Sequence, residues 1–182
     1  MITGCLFSGQ GGALFLIVDG YNLSRSGSLL LSEDPVSPEG REALCSLLSS
    51  YARGKGFRLT VVFDGRGGGS AERVRRPFKG GTAIFSSRTE SADDAIRGLS
   101  GNAPPGTVVV TSDRGLAGTL SARAVTVVSC EEFADRLFAF QMEGIKGTSD
   151  GEEESRGGQA KKGEGRKQKK RDRERDRILR KL

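Results

Sequence analysis

Short, mostly apolar runs alternate along the chain with segments whose apolar positions recur every three or four residues. Ala13–Val18 (ALFLIV), Arg58–Phe63 (RLTVVF), Thr82–Phe85 (TAIF), Thr107–Val110 (TVVV) and Ala124–Val128 (AVTVV) are the runs. Such runs predict strands covered on both faces of a sheet. Between them, Ser37-Pro38-Glu39 opens a helix, with Ser as N-cap and Pro at the first helical position. Leu44, Leu47, Leu48 and Tyr51 continue it at helical spacing towards Gly54. Ser91 caps a second helix running to Leu99, a short one follows Asp113 as far as Leu120, and Cys130–Met142 forms the last. Strands alternating with helices predict an α/β fold around a largely parallel sheet with helices on both faces. Residues 24–36 and the Gly- and Arg-rich residues 65–80 read as loops, the second mobile.

The organisation is one domain over residues 13–143, behind a flexible leader at 1–12. Residues 144–182 read as a disordered linker and basic tail, low in apolar residues. The net charge of +6 belongs to that tail. Residues 151–182 hold 13 Lys and Arg against 7 Asp and Glu, while residues 1–150 hold 16 of each. A neutral domain with a basic tail points to a polyanion partner. On this reading, removing 151–182 weakens binding to that polyanion and leaves fold and site intact.

Composition also excludes chemistry. The chain has no histidine, which removes Ser-His-Asp and Cys-His catalysis and imidazole acid–base pairs. Cys5, Cys45 and Cys130 are far apart and form no CxxC; they read as free thiols of a reducing, cytoplasmic setting. No apolar run approaches the roughly 20 residues of a membrane span. No GxxxxGK[ST] is present, so no nucleotide cofactor is expected.

What remains is carboxylate chemistry. Asp19, Asp64 and Asp113 each end a predicted strand, and Asp93 and Asp94 open the helix after the third. In an open parallel sheet these positions share the edge where ligands bind. Gathered carboxylates repel and raise one another's pKa, and a hard divalent cation with oxygen ligands offsets that. Each residue also has a plain structural role available. Asp64 suits a turn, Asp93 and Asp94 suit a helix dipole, and Asp113 suits an N-cap.

Four segments in order carry a resemblance: Asp19-Gly20-Tyr21-Asn22, Val61-Val62-Phe63-Asp64, Thr89 to Ile96 (TESADDAI) and Val110 to Arg114 (VTSDR). Together they resemble the YacP-like branch of the NYN nucleases, which are PIN-like domains. The resemblance spans residues 13–142. It implies a Rossmann-like three-layer domain with a central parallel sheet of order 3-2-1-4-5. It implies that Asp19, Asp93 and Asp113 line a site for one or two Mg²⁺ or Mn²⁺ ions, with Asp94 beside them. Asn22 then orients the metal's water shell or the phosphate, and Asp64 and Ser112 are accessory. Where some PIN-like nucleases carry a further Asp, this chain has Ala117.

The function this implies is a metal-dependent endoribonuclease in mRNA decay or RNA processing. Its partners are RNA (mRNA or rRNA) and the ribosome, and no membrane. Arg66, Arg73, Arg75, Arg76, Lys79 and Arg88 around the Gly-rich loop, with Arg114, are candidate backbone contacts. Lys169, Lys170 and Arg171 offer the same from the tail, and Tyr21 is either a base-stacking or a core aromatic. A solvated surface is the plain alternative for the basic residues. The alternative function is an RNA- or ribosome-binding PIN-like factor with little catalysis. A phosphatase is disfavoured because its Asp-x-Asp would need an acid where Tyr21 stands.

Overall fold

The computed structural model describes residues 14–26, 29, 31, 33–34, 36–65, 69–123, 125–146 and 170–182. In chain order the elements are β1 (Phe15–Asp19), α1 (Gly20–Ser24), α2 (Pro38–Lys55), β2 (Arg58–Phe63), β3 (Val74–Phe78), β4 (Gly81–Phe85), α3 (Ala92–Gly101), β5 (Thr107–Val110), α4 (Arg114–Leu120), β6 (Val125–Val128), α5 (Cys130–Lys146) and α6 (Lys170–Leu179). The sheet order is β3-β4-β2-β1-β5-β6. β4, β2, β1, β5 and β6 run parallel, and β3 joins β4 antiparallel.

This corrects the expected five-stranded order. The five parallel strands keep the predicted succession, but a sixth strand forms inside the segment read as a mobile loop. Val74–Phe78 (VRRPF) lacks an apolar run, yet it pairs with Gly81–Phe85 from Val74↔Phe85 to Phe78↔Gly81. A two-residue turn, Lys79-Gly80, joins them, and Gly80 adopts φ 91°. That left-handed conformation suits a tight hairpin and favours glycine. The Ser49 hydroxyl on α2 donates to the Lys79 main-chain oxygen, which fastens the hairpin to the helix.

The continuous apolar strands are sandwiched, as their lack of a polar face requires. Leu16 and Val18 of β1 point to one side with Leu44, Leu48, Tyr51, Phe133 and Leu137 from α2 and α5. Ile17 points to the other side with Ile96, Leu116 and Leu120 from α3 and α4. Alternating side-chain directions along each strand thus feed two cores. Ser37 caps α2 as predicted, and the helix ends at Lys55 with Gly56 as its left-handed cap. Among the described residues no helix is long and apolar enough to cross a membrane.

The end of the tail also departs from expectation. Residues 170–182, read as disordered, form α6 and a final turn that pack on the domain. Ile178 and Leu182 are 6% and 4% exposed within the α2–α5 core. The Tyr51 hydroxyl donates to the Leu182 main-chain oxygen. Arg136 on α5 donates to the Leu179 carbonyl at 2.9 Å, and Arg175 approaches Glu132 at 3.9 Å. The stretch 147–169, with Lys169, lies outside the described residues.

Candidate active site

β1 ends at Asp19, and Gly20 turns the chain at once into α1. Glycine is required there, because a Cβ would sit 2.4 Å from the Phe63 ring. The turn leaves Asp19 only 3% exposed. Its carboxylate caps α1 by accepting from the Asn22 main-chain N–H at 3.2 Å and from Asn22 Nδ2 at 2.5 Å. Thr111, at the end of β5, donates a further hydrogen bond to Asp19 Oδ2 at 3.4 Å. Burial pushes the Asp19 carboxyl up; the Asn22 and Thr111 bonds oppose this, and Asp113 adds repulsion.

Asp113 is held from the neighbouring strand. Its main-chain N–H donates to Thr111 Oγ1 at 3.2 Å, and its Oδ1 accepts from Leu116 N at 2.6 Å, capping α4. The capping role expected as its plain alternative is therefore present. Asp93 stands at the start of α3, but Ser91 does the capping there. Among the described residues its one cation is Arg97 Nη2, at 4.0 Å. Desolvation pushes the Asp93 carboxyl up, and Asp113 and Asp19 push it further. The three predicted carboxylates therefore feel one another across the sheet edge.

Asp94 is engaged locally instead. Its Oδ2 accepts from the Ser91 hydroxyl at 2.6 Å, completing a capping box, and its carboxylate pairs with Arg97. Those bonds hold its carboxyl below the usual range. Ser112 is likewise engaged: Oγ donates to Glu131 at 2.7 Å and accepts from Cys130 N at 3.0 Å. It ties β5 to the start of α5. Asp64 lies on a cavity of about 450 Å³ that Asp19, Asn22 and Asp93 also line.

The sequence reading missed Thr111, Glu131, Glu90 and Arg25. Arg25, exposed after α1, is a cation in the wall of the acidic cavity. Glu90 forms a two-pronged pair with Arg73, which engages that guanidinium and braces the turn before α3. Of the other predicted contacts, Arg75, Arg76, Lys79, Arg88 and Arg114 are exposed. Arg66 lies outside the described residues, as do the side chains of Lys170 and Arg171.

Among the described residues no group of three or more His, Cys, Asp or Glu is gathered into a metal-holding cluster. The donor set nevertheless suits a hard cation. It is all oxygen, and burial, with repulsion added to it, raises Asp19 and Asp93. The carboxylates are charge-coupled without being closed around a point.

The sequence profile of the YacP-like NYN domain matches residues 16–182. No curated protein matches. Among solved structures, the crystal structure of Rae1 (YacP) from Bacillus subtilis is similar, with 24% identity and a TM-score of 0.51. That match covers 73% of this chain and 82% of the other. A single-residue mutant of the same protein matches at 24% identity and a TM-score of 0.48, covering 74% and 85%. The match to the unmutated protein shows the shared fold.

Proposed function

We propose, for a chain that belongs to the YacP-like NYN domain family, hydrolysis of RNA phosphodiester bonds at the Asp19–Asp93–Asp113 edge with a divalent cation. NYN domains are generally PIN-like ribonuclease domains. The observation that carries the reading is geometric: Asp19, Asn22, Asp64 and Asp93 line one cavity, and the Thr111 hydroxyl ties Asp19 to the Asp113 backbone. Burial first, then Asp113 and Asp19, pushes the Asp93 carboxyl up. Folding brings like charges together there at a cost, and a cation relieves it.

Asp19, Asp93 and Asp113 would hold Mg²⁺ or Mn²⁺. When bound, the ion supplies Lewis-acid activation of water and of phosphate oxygens. The chain's own residues do the rest. Asn22 and Thr111 fix the direction of the buried Asp19 carboxylate. The Asp113 backbone is set by the same Thr111 hydroxyl. Arg25 supplies a positive charge on the cavity wall for a phosphate, and Asp64 adds a carboxylate to the same lining. Endonucleolytic cutting, a role in mRNA decay or ribosome-linked RNA processing, and a cytoplasmic setting belong to the same proposal.

The test is cleavage of a pool of single-stranded and hairpin RNAs with Mn²⁺ or Mg²⁺. Intact protein is compared with Asp19→Asn and Asp113→Asn, with EDTA as control. Cutting that needs the ion and vanishes in both variants is the expected result. A second reading, an RNA-binding factor with little catalysis, draws on the unclosed carboxylate set. RNA bound but uncut by every form would favour it.

A further inference from the structure

Beside the acidic cavity lies a larger cleft of about 820 Å³, between α2 and the β3–β4 hairpin. The two share Tyr21 and Asp64 as lining residues, so they adjoin. Its floor is aromatic. Phe85 stacks on Phe63 with centroids 5.4 Å apart and planes 23° from parallel, and Tyr21 meets Phe63 edge-on at 5.4 Å.

Two guanidinium groups lie against the Phe85 ring. Arg76 Cζ is 5.3 Å from its centroid and Arg41 Cζ is 5.9 Å. Arg41 is held in place by donating to the Tyr21 hydroxyl at 3.2 Å and to the Val36 carbonyl at 2.5 Å. Arg76 projects from the exposed β3 and has no carboxylate partner among the described residues. A planar cation on an aromatic face offers a surface for a base and a charge for its phosphate. The volume also falls within the roughly 300–1,000 Å³ of small-ligand sites.

We propose that this cleft is the base-stacking subsite of the nuclease, holding one unpaired nucleotide next to the phosphate to be cut. Its base lies on the outer face of the Arg76 guanidinium, which Phe85 backs, and Arg41 faces its phosphate. The proposal rests on the ribonuclease reading and narrows it. A base enters such a cleft only when it has left a helix, so the substrate at the cut site is single-stranded. The position of Arg76 on the added antiparallel strand gives β3 a purpose that the parallel sheet does not.

The test is fluorescence anisotropy with a labelled single-stranded RNA in EDTA, against the same sequence as a duplex. Cleavage of the single strand in Mn²⁺ is followed in parallel. Arg76→Ala and Phe85→Leu should each weaken single-strand binding by about tenfold, the scale of one stacked base. The loss should appear in KM more than in kcat, and the preference over duplex should shrink. Phe85 also packs on the core, so thermal unfolding accompanies that variant, and the exposed Arg76 carries the decision. Single-strand affinity unchanged in Arg76→Ala, or equal single-strand and duplex binding by the intact protein, overturns the subsite. Cleavage that persists in that case leaves the ribonuclease reading standing. A protein that binds RNA through this cleft but never cuts it supports the subsite and counts against the nuclease.

Discussion

Thr111 Oγ1 donates to the buried carboxylate of Asp19 across the β1–β5 boundary. The same oxygen accepts the Asp113 main-chain N–H. One hydroxyl, itself 2% exposed, thus sets the direction of one site acid and the backbone of another. Thr111→Val keeps the shape and removes both bonds. We expect catalysis to fall about 10–100-fold, the scale for partners of metal-binding side chains. Stability should fall by only about 1 kcal/mol. Thr111→Ser should restore most of the activity. Steady-state kinetics and thermal melts of the two variants check this.

Asp93 should be costly to the fold and necessary to the reaction. Its carboxyl is raised above the ordinary 3.8 by desolvation and by Asp113 and Asp19. A folded-state pKa above the unfolded one means that the native state holds its proton more tightly. Stability from this group is full below about pH 3.8 and is lost as pH rises through the folded value. Asp93→Asn should therefore match the intact protein in Tm near pH 3.5 and exceed it at pH 7, without added divalent ion. Turnover should vanish at both. A lower Tm at pH 7 would mark Asp93 as structural.

A divalent ion should reverse that penalty. A ligand that binds only the folded state stabilises by RT ln(1 + [L]/Kd), about 2.7 kcal/mol at a hundred times Kd. Mn²⁺ should raise the Tm of the intact protein at pH 7 and leave Asp19→Asn almost unmoved. The rise should fade towards pH 4, where protons compete for Asp19 and Asp93. Differential scanning fluorimetry across pH reads all three effects.

Removing the C-terminal residues should damage the fold, contrary to the expectation from charge alone. Burying each of Ile178 and Leu182 is worth about 1.5–3 kcal/mol. Deleting residues 170–182 would also strand the Tyr51 hydroxyl, whose pKa burial already pushes up to about 12. The deletion should cost several kcal/mol in urea unfolding, and Ile178→Ala alone about 2–4 kcal/mol. A truncated chain that melts like the full one would show that α6 contributes nothing to the core.

These results also show where the sequence is readable. The five parallel strands announce themselves because each is largely buried on both faces and so carries few polar positions, such as Thr60 and Thr126. Asp19, Asp93 and Asp113 follow from strand ends and a helix start, positions that topology alone places on one edge. β3 is hidden because an exposed edge strand needs no apolar run, and Arg75, Arg76 and Pro77 look like a loop. α6 is hidden because Ile178 and Leu182 are two anchors in a run of charge, too few for a pattern. Thr111 is hidden for another reason: the hydroxyl beside it, Ser112, fits the family pattern, and only three-dimensional pairing shows which oxygen reaches Asp19. Asp94 fits that pattern too, but local hydrogen bonding to Ser91 and Arg97 engages it instead.

β3 carries one more consequence. It stands at the end of the sheet order, so its outer side faces no further strand among the described residues. Open edges recruit strands from other molecules, and proteins blunt them with charge and proline. Arg75, Arg76 and Pro77 sit in the middle of that edge. Like-charged arginines repel a second copy, and Pro77 has no N–H to offer it. Neutralising both arginines therefore strips a guard against aggregation as well as a nucleotide contact. The doubly neutral protein should self-associate in light scattering at concentrations where Arg76→Ala alone stays monodisperse.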